Sequence, residues 1–415
     1  MNRLVQCGAF VSFFLLACSS PRVEAVTPAT KVSHAAYLPR QCEESPSPLF
    51  RGVQPSDVFE AELISNFDLL NSVTSTASPQ KAVMRYIDDN GTTRFVGALI
   101  RESGNLRANC EYKPLRMEFE SEQLMARIEA EVARDAGEQD QHFAIYKKYL
   151  STPGEASEKK GIPQQGNIFS HLGDDIKIIT HCGVHNWSRI GGANKKEQRT
   201  HLLQEFLLYQ LLGVFETTTF QTRLAKLTYR NVDGLTLGTF SAFFREPKSE
   251  LAQRCGLRID KNMKGEVNKI SYLSFHLLNF ITMNEEFEFP RHNVGNLKDN
   301  TGVRFLIAQD FDLSELSNPD YYPQKEPVVT RFVEWISDFE YDDMAIVQAL
   351  NVLAHESELK NLVHQSTLDD PSKMRTLDWL DTAFRVVGDF IYARPVEELN
   401  HMEEIRESLG LQGSI

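Results

Sequence analysis

The chain predicts an α+β fold in two lobes, β-rich in the N-terminal part and helical in the C-terminal part. Three observations predict it. From Val53 to Glu120 the pattern is strand-like, and Asp88-Asp89-Asn90-Gly91 reads as a hairpin turn between the runs 83–87 and 93–100. After Pro323 apolar residues recur at helical spacing over 328–339, 342–358, 374–392 and 396–408. Finally, roughly 365 residues follow the polar N-terminal segment, more than one small core accommodates.

The N-terminus is a separate matter. Arg3 precedes an apolar run, Ala9 to Ala17, that closes on Leu15-Leu16-Ala17-Cys18-Ser19-Ser20. One positive charge, a short apolar core and small residues at the break describe an export signal over 1–17 rather than a membrane span. The Leu-Leu-Ala-Cys ending resembles the bacterial lipoprotein cleavage box, which implies lipid on Cys18 and attachment to a bilayer through it. Ser19 and Ser20 resemble the residues of lipoproteins sorted to the outer membrane, so a bacterial cell-envelope location is expected. Residues 18–48, rich in Pro, Ser, Ala and Thr without a hydrophobic period, read as a flexible tether. Loss of residues 1–17 removes only Arg3 and takes the formal charge from −13 to −14. So acidic a chain excludes a nucleic-acid partner, which needs a basic surface. Nothing in the sequence bears on oligomeric state.

The first lobe is expected over 49–250. After its opening hairpin, residues 121–150 read as a surface helix, with Leu124, Ile128 and Val132 on one face and a break at Gly137. A polar loop from Ser151 to Gly166 leads to a strand over 175–180. Asn194 with Glu197 reads as a helix start for a helix running to Leu212. A second hairpin, 218–230 with 235–246, turns at Asn231-Val232-Asp233-Gly234. The second lobe, 251–415, opens with a buried helix over 270–283 and then presents candidate catalytic and metal loops over 284–312. Cys42, Cys110, Cys182 and Cys255 are an even set, which in an oxidising compartment favours two disulfides, with three pairings open. The pairing expected is Cys110 with Cys182 and Cys42 with Cys255. A metal at His181-Cys182-x-x-His185 is the weaker alternative, because the spacing is not one that structural zinc prefers.

The stretch from Asn284 to Asp312 carries the chemistry. An acidic loop, then His292-Asn293, then a hydrophobic strand ending Asp310-Phe311-Asp312, follows the layout of phosphoryl transfer. There a carboxylate orients the acceptor, an Asn and an Asp hold magnesium, and a strand fixes the Asp. The spacing is not that of ordinary protein kinases, which run H-R-D-x-x-x-x-N and then D-F-G.

Three blocks in order, Ala98–Phe119, Ile176–Cys182 with the helix carrying Glu205, and Asn284–Asp312, resemble the spore-coat CotH-like atypical kinases and their bacterial lipoprotein relatives. The resemblance covers roughly residues 48–320. It implies a two-lobed kinase-like fold, magnesium, ATP as donor, and a protein or envelope molecule as acceptor. On it, Glu286 and Asn284 take the catalytic positions, and Asn293, Asp310 and Asp312 hold the metal. Arg101, Arg116 and Lys177 face the phosphates, with Glu205 paired to one of them. The chain departs from the pattern at Glu286, where relatives carry Asp, and at Ser103, Gln309 and Asn296. These departures support the alternative of a catalytically inactive lipoprotein with a binding or structural role. Each residue also has a plainer use: Asp310 and Asp312 as helix caps, Lys177 as the solvent face of a strand, Glu205 as a surface residue.

Overall fold

The computed structural model describes residues 42–70, 79–103, 114–120, 124–127, 130, 141–151, 167–173, 175–180, 195–215, 218–262, 264–282, 284, 294–311, 314, 343–409 and 411. Alternation builds the first part of the fold. Strands β1 (Phe59–Ser65), β2 (Gln80–Ile87), β3 (Thr93–Glu102), β4 (Leu115–Phe119), β5 (Asp175–Thr180), β6 (Thr222–Asn231) and β7 (Thr236–Arg245) close into a barrel in the order β1-β2-β3-β4-β5-β7-β6. Neighbours pair antiparallel except where the ring shuts: β1 runs parallel to β6, from Phe59 opposite Ala225 to Ser65 opposite Asn231. Gly91 and Gly234, both at positive φ, turn the β2–β3 and β6–β7 hairpins, a conformation that costs glycine little.

Every second residue of these strands points inward. Leu115, Met117 and Phe119 of β4 and Ile176 and Ile178 of β5 enter the same buried cluster as Leu63, Met84, Ile100, Leu227 and Phe244. The barrel is therefore filled by side chains and is not a channel. Phe169 fills its centre, with ring contacts to Phe59, Tyr86, Phe119 and Phe244 at 5.5–6.0 Å between centroids. The turn carrying Phe169 is locked to the wall, because Tyr86 donates to Asn167 Oδ1 and accepts from the Ile168 N–H.

Among the described residues, the outer wall is covered by two long helices. Helix α2 (Gln141–Ser151), which follows the single turn α1 (Phe67–Leu70), sets Ile145 and Tyr149 against Ile64 and Val83. Helix α3 (Lys195–Phe215) covers Ile179, Leu224 and Phe243 with Leu202, Phe206 and Tyr209. That second contact opens into the largest apolar cluster among the described residues. It runs through α4 (Lys248–Arg254), α5 (Lys269–Ile281), α6 (Asp343–Ala354), α7 (Glu356–Gln365), α8 (Asp370–Tyr392) and α9 (Val396–Ser408). A small antiparallel sheet, in the order β10 (Arg304–Ala308), β9 (Val294–Lys298), β8 (Arg258–Ile259), rests on α5.

This architecture corrects the expected fold class. The chain is not a two-lobed kinase-like α+β fold with a β-sheet lobe and a helical lobe. It is a closed seven-stranded mixed barrel with helices packed on its outer wall. Local patterning finds the strands and hairpins. The closure, however, is a parallel contact between residues more than 160 apart in sequence, and no spacing encodes it. The start of the described chain is tied to the body by a disulfide between Cys42 and Cys255. Cys110 and Cys182 lie outside the described residues, as does Cys18.

Candidate functional site

The strand register aligns four cations. Arg101 of β3 stands opposite Arg116 of β4, Arg116 opposite Lys177 of β5, and Lys177 opposite Arg245 of β7. Directly opposed residues share a face. Their neighbours Ile100, Leu115, Ile178 and Phe244 point into the barrel, so all four cations lie on its outer wall. At a strand spacing of about 4.8 Å, the row spans roughly 14 Å. Its two ends differ. Arg101 is paired with Glu118 at 2.9 Å, and Arg116 is paired with Asp175 and lies 3.8 Å from Glu118; both arginine side chains are partly open to water, which screens these ion pairs.

At the other end the wall meets α3 and the small sheet. Arg245 donates to the hydroxyl of Tyr209 at 3.2 Å, and its guanidinium stacks 4.7 Å over the ring of Phe220. The Tyr209 hydroxyl also accepts the backbone N–H of Asp310 at 3.1 Å, and the Tyr209 ring meets Phe311 edge-on at 5.0 Å. Tyr209 is thus the joint between the barrel wall and the strand end. One turn earlier on α3, Glu205 is buried at 2 % exposure, which overturns its reading as a plain surface residue.

Electrostatics ties these groups together. Burial pushes Tyr209 up to about 12, with Glu205 and Asp310 adding to the rise and Arg245 opposing it. Burial by itself would lower Arg245, but Tyr209, Asp310 and Glu205 outweigh it and hold the guanidinium above its ordinary value. The cation is therefore permanent. Arg245 Nε is buried and meets no acceptor among the described residues. Asp310 sits at φ +66°, a left-handed conformation costly for a residue with a side chain. Such strain persists only where surrounding contacts impose it, and here the Tyr209 hydrogen bond and the Phe311 contact do so.

Of the residues singled out from sequence, the structure brings Lys177, Glu205 and Asp310 around Tyr209 and Arg245. It sets Arg101 and Arg116 farther along the same wall. Asn284 is buried just beyond α5, its N–H bonded to the Asn279 carbonyl at 2.9 Å. Glu286, Asn293 and Asp312 lie outside the described residues. Among the described residues no three of His, Cys, Asp or Glu gather as a metal cluster. Sequence reading missed Arg245 and Tyr209. Arg245 ends an apolar strand, where a cation reads as a solvent-side terminus, and Tyr209 sits in a leucine-rich helix, where it reads as core. The one available signal was alternation: in Phe243-Phe244-Arg245, Arg245 shares the face of Phe243 that α3 covers.

No protein-family model matches the chain, and no curated protein matches it in sequence.

Proposed function

We propose that this protein is a lipid-anchored, magnesium-dependent phosphotransferase of the bacterial cell envelope, acting on a protein or envelope acceptor. The observation that supports it best is the convergence of a strand-borne cation, a buried helix glutamate and a strained strand-end aspartate around one tyrosine: Arg245 with Lys177, then Glu205, Asp310 and Tyr209. These residue types in these places are those that phosphoryl transfer uses to hold phosphates and metal. The residues suit the groups they would hold. Arg245 is held as a permanent guanidinium on this wall, the kind of charge that phosphate oxygens pair with. Magnesium takes one or two protein carboxylates and completes its shell with water and phosphate, a demand that Asp310, with Asp312 two residues on and Asn293 just before β9, the partner strand of β10, can meet. Bound magnesium would neutralise charge on the transferring phosphoryl group. Asp310 would position it, Arg245 and Lys177 would hold phosphate oxygens, and Glu205 would orient the cations.

Nucleotide binding tests this reading. With ATP and magnesium at one hundred times the dissociation constant, the wild-type protein should gain about 2.7 kcal/mol of stability. Asp310→Ala should lose most of that gain. A folded wild-type protein showing no metal-dependent shift would sink the proposal. It would favour the second reading, a non-catalytic envelope protein, which the existing pairing of Arg101 with Glu118 and Arg116 with Asp175 already suits.

A further inference from the structure

Helix α8 (Asp370–Tyr392) packs one face into the main apolar cluster, through Leu380, Ala383, Val387 and Ile391. Its other face goes to solvent with two large apolar side chains on it, Met374 at 59 % exposure and Tyr392 at 66 %. From 374 to 392 is eighteen residues, five helical turns, so the two side chains lie in line, roughly 27 Å apart. Between them Asp378, Asp381 and Arg385, all exposed, fall within about 40° of that line. Single exposed apolar residues are ordinary, but these two mark the ends of one charged stripe.

At the Tyr392 end a cleft of about 500 Å³ opens between α8 and the corner where α6 meets α7. Leu353, Phe384 and Gly388 give it apolar walls, and Tyr392 stands at its edge with its ring against Gly388. Lys360 of α7 bridges Glu356 and Asp381, closing α7 onto α8, yet the Asp381 side chain stays 57 % open. Arg385 stands one turn beyond Asp381, at a spacing where helices commonly pair opposite charges, and makes no ion pair among the described residues. Met374 is thus a knob, the cleft a hole, and Arg385 a cation left unmatched.

We infer that this face of α8 is the contact surface of a homodimer, two copies pairing the helix antiparallel across a two-fold axis at the level of Ala383. The stripe reads Met374, Asp378, Asp381, Arg385, Gly388, Tyr392, and reversed it is its own complement. Asp381 of each copy meets Arg385 of the other, so the ion pair forms twice. Asp378 lies over Gly388, where no side chain stands in the way. Met374 reaches Tyr392 and the cleft beside it, where its thioether gains an aromatic contact. Such a self-complementary patch is what a two-fold interface requires, and a crossing near 20° keeps the helices in contact over this length. An anionic lipid surface suits the face poorly, because aspartates at 378, 381 and 389 surround Arg385. The pairing stands apart from the phosphotransferase reading and needs no ligand.

Sedimentation equilibrium of the full-length protein, in density-matched detergent at low salt, tests the pairing by exchanging its charges. Wild type should show a concentration-dependent species of twice the chain mass, weakened by added salt. Asp381→Arg sets arginine against arginine at both contacts, and Arg385→Asp sets aspartate against aspartate. Each variant alone should dimerise about tenfold more weakly or worse. Mixed in equal amounts the two variants restore both ion pairs, so the mixture should regain the dimer. Recovery on mixing also shows that both variants are folded. A wild-type protein that stays monomeric at every accessible concentration overturns the inference. So does a dimer that neither variant weakens, or a mixture that remains monomeric. A monomer that instead sediments with anionic phospholipid vesicles, and loses them on Arg385→Asp, overturns it in favour of a lipid surface.

Discussion

Tyr209 does two jobs that a phenylalanine would divide. Its ring packs between Phe243 and Phe311, and its hydroxyl holds both Arg245 and the Asp310 N–H. Tyr209→Phe should keep the packing and strand two buried donors, lowering stability by about 1–3 kcal/mol in urea unfolding. It should also loosen Asp310 and so weaken any metal-dependent ligand binding. A variant as stable as wild type would show that the hydroxyl is not the joint. Asp310 offers the converse test. Glycine accepts φ +66° without the side-chain penalty, so Asp310→Gly should raise stability by about 1 kcal/mol while abolishing magnesium-dependent nucleotide binding. Stability gained with function lost would mark the strain as functional. A loss of stability would mean that the carboxylate instead supports the fold.

At the scale of elements, the described helices pack on the barrel wall to either side of the row of cations. α2 covers β1 and β2, α3 covers β5, β6 and β7, and Arg116 and Glu118 of β4 belong to neither apolar contact. Helix α5 carries a different electrostatic load. His276 stacks 4.4 Å from Tyr272, and burial pushes its pKa down to about 4 from 6.5. The folded state therefore disfavours the protonated ring. Its neutral form costs nothing above pH 6.5, and stability is lost as the pH falls from 6.5 towards 4, to about 3 kcal/mol in total. Comparing guanidinium unfolding of wild type and His276→Leu at pH 7 and pH 4.5 isolates this contribution. The difference between the two proteins should shift in favour of the variant at the lower pH, and a pH-independent difference would remove the assignment.

Across the whole molecule, the one covalent link among the described residues spans just over half the chain. The Cys42–Cys255 disulfide joins residues 213 apart and brings the incoming segment onto α4, where the Glu43 N–H bonds to the Arg254 carbonyl at 3.0 Å. Closing so long a loop restricts the unfolded chain, so the double variant Cys42→Ser/Cys255→Ser should lose about 2–5 kcal/mol in guanidinium unfolding. An unchanged midpoint would show that the noncovalent anchors suffice. The link also suits an exported chain, since such bonds persist in oxidising compartments.

How much of this was legible depends on the range of the interaction. The β2–β3 and β6–β7 hairpins could be read directly, because alternation and turn residues act within about ten positions. Lys177, Glu205 and Asp310 were also singled out from sequence, on residue type and order. Their convergence was not legible, since it requires β5 beside β7, α3 across both, and β10 delivering its end to the same helix. Arg245 and Tyr209 went unread for the same reason: their sequence neighbourhoods look like strand end and core helix. By itself the sequence determined the two hairpins and the helical character of residues 195–212, 270–281, 374–392 and 396–408, all local matters of period and composition. Only the tertiary structure decided that the strands close into one filled barrel, with cations and carboxylates meeting on its outer wall. Closure and site are both set by contacts between segments far apart in the chain, and packing selects among those pairings where local preference cannot.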